Sequence, residues 1–219
     1  MKRVTLFCGH YGSGKSNLAV NYALQLRAGG LRTALADMDI VNPYFRSADA
    51  ERELTDAGIE VVRLPFANSN VDLPALPSAL YGLMQRRDVH AVLDVGGDDR
   101  GALALGRFTP YILEENDYEM LCVVNFLRPL TMTAGEALEV LREIEYAAGL
   151  PFTGIVNNTN LGRETTAETV VSSVAEADRL SSLSGLPVVF TAFAAGLSPA
   201  PAVPQPFPLT LQKNIPFTE

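Results

Sequence analysis

Seven short, unbroken apolar runs, separated by longer helical stretches, constrain the fold of this chain more than any other feature. Each run is rich in β-branched residues and lacks polar alternation, which is typical of parallel strands that are covered on both faces. We therefore predict an α/β fold, a three-layer, doubly wound, mostly parallel sheet with helices on both faces. The predicted strands are Val4–Cys8, Thr33–Ala36, Ile59–Leu64, Ala91–Val95, Met120–Val124, Thr153–Val156 and Val188–Thr191.

Three of the helical stretches carry signals of their own. The first, Lys15–Arg27, places apolar residues at helical spacing directly after a glycine-rich segment. Thr133 and Glu136 form the pattern of a capping box, and Thr165 and Glu168 repeat it. We expect one helix to begin directly after Thr133 and another directly after Thr165.

The last part of the chain differs in composition from the rest. Residues 1–196 are predicted to form one domain, and residues 197–219 a proline-rich tail that packs on the same domain. Proline at this density is excluded from helices and from the interior of a sheet. Two alternatives follow: the tail is an extended strap across the surface, or it lines a ligand pocket or docks a partner.

Charge and cysteine content exclude several classes of protein. The 219 residues include 17 Lys and Arg against 25 Asp and Glu, a net charge of −8, and an acidic surface repels nucleic acid and anionic lipid. Cys8 and Cys122 lie inside apolar runs without a CxxC motif, which excludes a disulfide framework or a zinc finger. Since no apolar run reaches about 18 residues and the first residues turn polar too soon for a signal peptide, we expect a cytoplasmic protein without membrane or nucleic-acid partners.

Residues 9–16 read Gly-His-Tyr-Gly-Ser-Gly-Lys-Ser and match the pattern G-x-x-x-x-G-K-[ST] between a predicted strand and a predicted helix. Glycines in such a loop let backbone N–H groups turn inward around an anion, and the helix N-terminus adds positive charge. Lys15 can reach the β- and γ-phosphate oxygens, and the Ser16 hydroxyl can bind Mg²⁺. The candidate nucleotide contacts are Gly9, Gly12, Ser13, Gly14, Lys15, Ser16 and Asn17.

Carboxylates follow two of the predicted strands. Asp37 and Asp39 come after the second strand, and Asp94 ends the fourth, with Gly97 three residues further on. Ligand sites of parallel sheets lie beyond the carboxyl ends of the strands. We expect Asp37, Asp39 and Asp94, with Ser16, to serve the metal, Asp39 to position or deprotonate the attacking water, and the Gly97 N–H to meet the γ-phosphate. The alternatives are a helix N-cap followed by a turn at Asn42-Pro43 for the first two carboxylates, and a strand-end cap for Asp94.

The sixth predicted strand is followed by Asn157-Asn158-Thr159-Asn160. An asparagine side chain both donates and accepts hydrogen bonds, which suits the amine and ring nitrogen of adenine, and no carboxylate stands in this segment to select guanine. We therefore expect Asn157 and Asn158 to contact the base and ATP to be the nucleotide. The alternative is a strand-end turn rich in asparagine, with the base bound elsewhere.

These motifs together resemble the MinD/ParA group of P-loop NTPases, which includes the CobQ/CobB-type nucleotide-binding domains, over residues 2–193. The resemblance implies a mostly parallel sheet of seven or eight strands and Mg²⁺-dependent ATP binding. It assigns phosphate and Mg²⁺ to Lys15 and Ser16, the attacking water to Asp39, and the metal shell to Asp94.

The chain departs from this group inside the phosphate loop. A second lysine early in the motif reaches across a nucleotide-sandwich dimer in the group, whereas this chain has His10 there, followed by Tyr11 where glycine is usual. Because an imidazole does not replace a permanent charge, activation by a lysine of a second copy is not expected. A homodimer stays open. Cys8 and Cys122 lie in strands, so no iron–sulfur centre is implied.

The expected function is that of a Mg²⁺-dependent ATPase with slow intrinsic turnover, which acts as a nucleotide-driven switch or an accessory ATPase for an unknown protein partner. The alternatives are an ATP-dependent small-molecule kinase or ligase similar to dethiobiotin synthase, and a nucleotide-binding module without catalysis. Three arginines stay unassigned, because each could meet phosphate, a second substrate or only solvent; they are Arg46, Arg128 and Arg163.

Overall fold

A computed structural model describes residues 2–38, 48–63, 78–97 and 99–211. In these ranges the strands are β1 (Val4–Cys8), β2 (Thr33–Asp37), β3 (Glu60–Arg63), β4 (His90–Asp94), β5 (Tyr118–Val124), β6 (Gly154–Asn157), β7 (Val188–Ala194) and β8 (Pro206–Leu209). The helices are α1 (Lys15–Ala28), α2 (Ala48–Asp56), α3 (Ser78–Gln85), α4 (Asp99–Gly106), α5 (Thr109–Glu115), α6 (Ala134–Ala148) and α7 (Ala167–Ser184).

The described strands form one sheet in the order β3-β2-β4-β1-β5-β6-β7-β8. Every neighbouring pair is parallel, and β1 lies at the centre between β4 and β5. Parallel strands that return through helical crossovers bury both faces of a sheet, which explains the unbroken apolar runs. The predicted fold class is confirmed.

Each predicted strand is present, with differences of one to three residues at its ends, and β1 has the predicted bounds. β2 and β6 end on the polar residues Asp37 and Asn157 because the backbone ladder continues past the last apolar side chain. β7 continues to Ala194 because β8 pairs with its second half. Leu64, the predicted end of the third strand, lies outside the described residues.

The two predicted capping boxes have different outcomes. The Thr133 box is confirmed, since its hydroxyl accepts from the Glu136 N–H and the Glu136 carboxylate accepts in return. The box at Thr165 is wrong. The Thr165 hydroxyl instead donates to the Gly162 carbonyl, 2.7 Å away, and α7 begins one residue later, capped by the Thr166 hydroxyl.

Helices cover both faces of the sheet. α1 and α2 lie on one face, where Leu18 and Leu54 pack in one core with Phe7 of β1. The opposite face is covered by the other five described helices, which bury Leu80, Leu105, Ile112, Leu141 and Leu180 in a second core. Among the helices that the structure describes, none combines the length and the apolar character needed to cross a bilayer.

Part of the proline-rich tail is the eighth strand, an outcome that neither sequence alternative described. The carbonyls of Gln205 and Leu209 accept from β7 and its following residue, so the alternate residues Pro206 and Pro208 face away from β7. An outward edge position needs no N–H donor, and prolines there block pairing with a further strand. Phe207 is buried and stacks on Phe190 of β7 with ring centroids 4.5 Å apart.

The start of β1 is anchored by a buried arginine. Arg3 is 5% exposed and donates to the carbonyl oxygens of Met84, Arg86 and Val89 at 3.1–3.2 Å. The same guanidinium pairs with the carboxylate of Glu115 at the end of α5. Arg3 therefore joins three segments at the end of β1 that is opposite the phosphate loop.

The carboxylate partner of this arginine has a shifted pKa. Burial disfavours the charged form of Glu115, but hydrogen bonds from Arg3 and Arg87 outweigh it and hold the pKa of this carboxyl below its usual range. A group of this kind contributes stability that is present above its unfolded-state pKa and is lost as the pH falls through its native pKa.

Glu115→Gln is expected to lower the free energy of unfolding at pH 7 by about 3–5 kcal/mol, because Arg3 is left as a buried, unpaired charge. Below pH 4.5, the ordinary value for a glutamate, the stability of the variant should also vary less with pH than that of the unmodified chain. Urea denaturation across a pH series measures both effects.

The control is Asp88→Asn. It breaks the exposed pair between Arg32 and Asp88, and exposed pairs contribute about 1 kcal/mol or less. Equal losses of stability in the two variants would contradict the anchoring role of Arg3.

Candidate functional site

The predicted phosphate loop lies at the carboxyl end of the central strand. It leaves β1 after Cys8, passes between the ends of β4 and β5, and enters α1 at Lys15. Loops at the carboxyl ends of parallel strands are where α/β proteins bind ligands. The fold therefore places residues 9–16 where the motif requires them.

Backbone conformation at the loop requires glycine. Gly12 and Gly14 have φ angles of 78° and 87°, in the left-handed region that favours glycine. Gly9 has φ 151° and runs against β5, where a Cβ would lie 2.3 Å from the Val123 carbonyl oxygen. A Cβ on Gly14 would lie 2.4 Å from the Asn158 amide nitrogen. The glycines therefore allow both the curvature of the loop and its close approach to its neighbours.

The N-terminus of α1 opens into this loop. Its N-cap is Gly14, no side chain caps it, and its first turn has no acidic residue. An uncapped N-terminus leaves backbone N–H groups without intrahelical partners and has about half a positive charge. An anion at the mouth of the loop would satisfy these groups.

Lys15 and Gly97 are brought together at this mouth. Lys15 is 7% exposed, and its Nζ donates to the His10 carbonyl at 3.2 Å, so the side chain folds back over the loop. A Cβ on Gly97 would lie 2.8 Å from that Nζ and 2.7 Å from the Tyr11 nitrogen. The turn after β4 therefore packs directly on the phosphate loop; the expected contact of the Gly97 N–H with a γ-phosphate stays a prediction.

Two of the predicted metal-shell carboxylates are neighbours in the sheet. Asp37 and Asp94 are register partners at the ends of β2 and β4, both are buried, and the Met38 N–H donates to the Asp94 carbonyl at 2.8 Å. Ser16 is half-buried in the first turn of α1. Asp39, the predicted water-positioning residue, lies outside the described residues.

These residues fit Mg²⁺ held jointly with a nucleotide. Mg²⁺ prefers oxygen ligands and takes several of them from substrate phosphates and water. Within the described ranges no group of three or more His, Cys, Asp or Glu side chains could hold a metal ion by itself. The Ser16 hydroxyl and the nearby carboxylates are the oxygen donors that the chain offers at the loop.

Asn158 and Asn157 have structural partners of different kinds. The Asn158 amide donates to the Ser13 carbonyl at 2.7 Å and so ties the loop after β6 to the phosphate loop. Asn157 is fully buried. It donates to Ser173 and accepts from Thr159, and these bonds orient the backbone of the loop. The structure brings Asn158, but not the side chain of Asn157, to the candidate site.

Ser13 lies in the phosphate loop and Asn17 in the first turn of α1, and both are buried. The Ser13 N–H donates to the His10 carbonyl, and the Ser13 hydroxyl is buried with no partner among the described residues. Asn17 is buried in α1, where its carbonyl accepts from Asn21. Asn21 also exchanges two hydrogen bonds with Thr210, so the tail is fastened to the helix that begins at the site.

The two cysteines lie side by side beneath the loop. Cys8 and Cys122 are register partners on β1 and β5 and are buried. Burial raises the pKa of Cys122 to about 12 and that of Cys8 further, although the Lys15 charge acts in the opposite direction on both. Neither thiol is therefore ionised near neutral pH, and both act as small core residues.

The sequence left Arg128 unassigned, and the structure places it beside the phosphate loop. Its Nε and Cδ lie 3.7 and 3.8 Å from the position that a Cβ on Gly12 would take. Arg163 is exposed in the short turn Gly162–Glu164, and Arg46 lies outside the described residues. Nothing local in the sequence signals the position of Arg128, because the contact depends on how the loop after β5 folds.

Comparison with solved structures finds proteins of the same fold. Cell division protein FtsY from Thermotoga maritima matches with a TM-score of 0.56 at 17% identity, over 87% of this chain and 61% of that chain. Chloroplast FtsY from Physcomitrella patens gives 0.53 at 19%, over 87% and 58%. Signal recognition particle receptor FtsY from Elizabethkingia anophelis, in complex with GDP, gives 0.50 at 18%, over 88% and 57%.

The chain spans about three fifths of the length of these proteins. At this identity the likeness shows the fold alone, that of P-loop nucleoside triphosphatases. No protein-family model matches the sequence, and comparison with curated proteins finds no match.

Gly97→Ala is expected to weaken binding of Mg·ATP. The new methyl group would overlap Lys15 Nζ and the Tyr11 nitrogen. Overpacking of this kind costs about 1–3 kcal/mol. The affinity falls by at most roughly 150-fold, the value reached when the whole cost falls on the nucleotide-bound form. Isothermal titration calorimetry measures the loss.

Gly82→Ala is the matched control. Gly82 lies in α3, and a Cβ there meets nothing within 4 Å, so the variant should bind like the unmodified chain and be more stable by up to about 1 kcal/mol. Unchanged affinity in Gly97→Ala would show that the turn after β4 does not contact the occupied loop.

Proposed function

We propose that this protein is a Mg²⁺-dependent, ATP-binding P-loop protein of the MinD/ParA type. It hydrolyses ATP slowly and acts as a nucleotide-driven switch or accessory ATPase. The observation that carries this proposal is the uncapped N-terminus of α1, which begins in a left-handed glycine loop with Lys15 folded over it. A helix N-terminus that opens into such a loop, with a lysine beside it, is an anion-binding arrangement.

Different groups of the site are proposed to contact the phosphate chain, its terminal oxygens and Mg²⁺. The backbone N–H groups of the loop and of the first turn of α1 surround the phosphate chain, and Lys15 adds a permanent charge to its terminal oxygens. Ser16 holds Mg²⁺, which neutralises charge on the β- and γ-phosphates when bound. Asp37 and Asp94 orient the water shell of the metal from the ends of β2 and β4.

The contact of Gly97 with the loop supports a switch. Because Gly97 packs on both Lys15 and the Tyr11 backbone, a terminal phosphate beside Lys15 would contact the turn after β4. Loss of that phosphate would remove the contact, and segments that touch a γ-phosphate are those that rearrange on hydrolysis. The unknown protein partner would then distinguish the two states of this turn.

ATP is proposed as the nucleotide because residues 157–160, which follow the apolar part of β6, include no carboxylate to accept from guanine. Asn158 contributes indirectly, since its amide holds the Ser13 carbonyl. One of the proteins with a similar fold was solved with GDP, so the choice of base is the part of the proposal that needs its own measurement.

Slow hydrolysis is proposed because His10 stands in the phosphate loop where the MinD/ParA group has its second lysine. Asp39 is proposed, from the sequence alone, to orient the attacking water. The His10 ring is half-buried, and its Nδ1 lies 3.0 Å from the Tyr11 carbonyl oxygen. The loop therefore has no permanent second charge at this position to offer a second copy of the chain.

A cavity favours transfer to a small acceptor as a second candidate function. It has a volume of about 470 Å³ and lies between the loops after β5 and β6 and the start of α7, with Phe126, Met132 and Thr159 in its wall. Because its wall includes the loop that carries Arg128, an acceptor there would lie near the phosphate loop. ADP released only when a mixture of small metabolites is added would favour a kinase or ligase over a switch.

Lys15→Ala is expected to lower the affinity for Mg·ATP by about 10- to 150-fold, the value of a charge-assisted hydrogen bond of about 1.5–3 kcal/mol. Calorimetry with and without Mg²⁺ measures the loss. Lys2→Ala is the control, because Lys2 is exposed and pairs only loosely with Asp117 at 3.8 Å. If the unmodified chain binds neither Mg·ATP nor Mg·GTP, the proposed function is wrong.

ATP is expected to displace a fluorescent ATP analogue at lower concentration than GTP. Asn158→Ala should weaken both nucleotides by a similar factor, because Asn158 supports the Ser13 backbone that serves either one. A change in the ratio of the two affinities in this variant would instead show that Asn158 reads the base. Tighter binding of GTP would overturn the choice of ATP and leave the phosphate loop unaffected.

A further inference from the structure

The loop after β5 presents one arginine to the phosphate loop. Arg128 lies over Gly12, with its Nε 3.7 Å from the position of a Cβ on that glycine. The next residue back is Tyr11, and a Cβ on Gly97 would lie close to both the Tyr11 nitrogen and the Lys15 Nζ. Arg128, Gly97 and Lys15 therefore surround the same end of the loop from three different strands of the sheet.

The segment that carries Arg128 is held by a buried hydrogen-bond network. Asn125 is fully buried, and its side chain accepts from the Leu127 N–H and donates to the Asn160 carbonyl. Its carbonyl accepts from the Arg128 N–H and from the Thr131 hydroxyl, which lies 2.8 Å away. The backbone position of Arg128 is thus fixed, while its side chain is exposed.

The charge of Arg128 has no partner within the described part of the chain. Its guanidinium makes no hydrogen bond or ion pair there, which is equally true of the exposed Arg142 and Arg163; what distinguishes Arg128 is its position beside Gly12. This holds although the chain carries a net charge of −8. An arginine left unpaired beside a loop that attracts anions is placed to bind an anion itself.

We propose that Arg128 donates hydrogen bonds to the terminal phosphate of the bound nucleoside triphosphate and acts as a catalytic arginine supplied by the same chain. This inference rests on the proposed function. In this role Arg128 would distinguish the triphosphate from the diphosphate. It would also supply the permanent positive charge that His10 lacks.

The positive charge of Arg128 would act during the hydrolysis step. Hydrolysis forms a bond from the water oxygen to the terminal phosphorus and breaks the bond from that phosphorus to the bridging oxygen. The electron pair of the broken bond leaves with the diphosphate; one proton of the water stays on the phosphate and the other is released. Negative charge on the terminal and bridging oxygens is stabilised by a guanidinium fork during this transfer.

The test compares Arg128→Ala and Arg128→Lys with the unmodified full-length chain. The control is Arg142→Ala, which removes the same charge from an exposed position on α6. Two quantities are measured for each protein: the ratio of affinities for Mg·AMP-PNP and Mg·ADP, and the single-turnover rate constant of ATP hydrolysis. Guanidinium chloride at millimolar concentration is then added to each hydrolysis reaction.

Arg128→Ala is expected to weaken AMP-PNP about 10- to 150-fold more than ADP and to slow hydrolysis by a factor on the order of 10² to 10³. Arg128→Lys should recover only part of either loss, because an ammonium does not reproduce the guanidinium fork. Added guanidinium should raise the rate of Arg128→Ala alone, an effect that a purely structural role would not produce.

The outcomes separate this inference from the function on which it rests. If the unmodified chain binds neither nucleotide, the proposed function fails. If it binds both and Arg128→Ala matches Arg142→Ala in affinity ratio and rate, the role of Arg128 is overturned. Where the unmodified chain binds without hydrolysis, the affinity ratio alone decides. If Arg128→Ala proves less stable than the unmodified chain, two other results test the inference: partial recovery of affinity ratio and rate in Arg128→Lys, and a faster rate of Arg128→Ala with added guanidinium. Absence of both results contradicts the inference.

Discussion

The uncapped N-terminus of α1 is the constraint on which the rest of the candidate site depends. Its N-cap is a glycine without a capping side chain, and its first turn opens into a glycine loop. A helix N-terminus of this kind attracts an anion. The neighbouring elements can be understood as supports for it, since β1 fixes the start of the loop, Asn158 holds Ser13, and Gly97 packs on Lys15.

The central strand β1 is held at both of its ends, by different contacts. At its start, the buried Arg3 joins β1 to α5 and to the segment before β4, which fixes the strand within the sheet. At its end, Gly9 approaches the β5 backbone so closely that only a hydrogen fits. The loop is therefore attached to a strand that is held by contacts at both ends.

Local signals in the sequence predicted the strand, loop and helix of the site with nearly correct bounds, because each depends on neighbouring residues only. Other features depend on tertiary contacts. The sequence favours Thr165 as the cap because Glu168 follows three residues later, and Thr166 takes that place because the preceding turn uses the Thr165 hydroxyl. Pro206 and Pro208 join a sheet only because their strand is at its edge. Arg128 reaches Gly12 only through the folded loop after β5.

The net charge of −8 and the charge of a nucleoside triphosphate have the same sign. The long-range field of the protein therefore opposes association, and it is screened beyond about 8–10 Å at physiological salt. Affinity must come from contacts within a few ångströms, where low solvent access strengthens each one. For the proposed function, the groups placed to make these contacts are the backbone of one loop, the buried Lys15 and the adjacent Arg128. Selectivity of the proposed site for a triphosphate would thus depend on short-range geometry at this loop rather than on the overall charge of the surface.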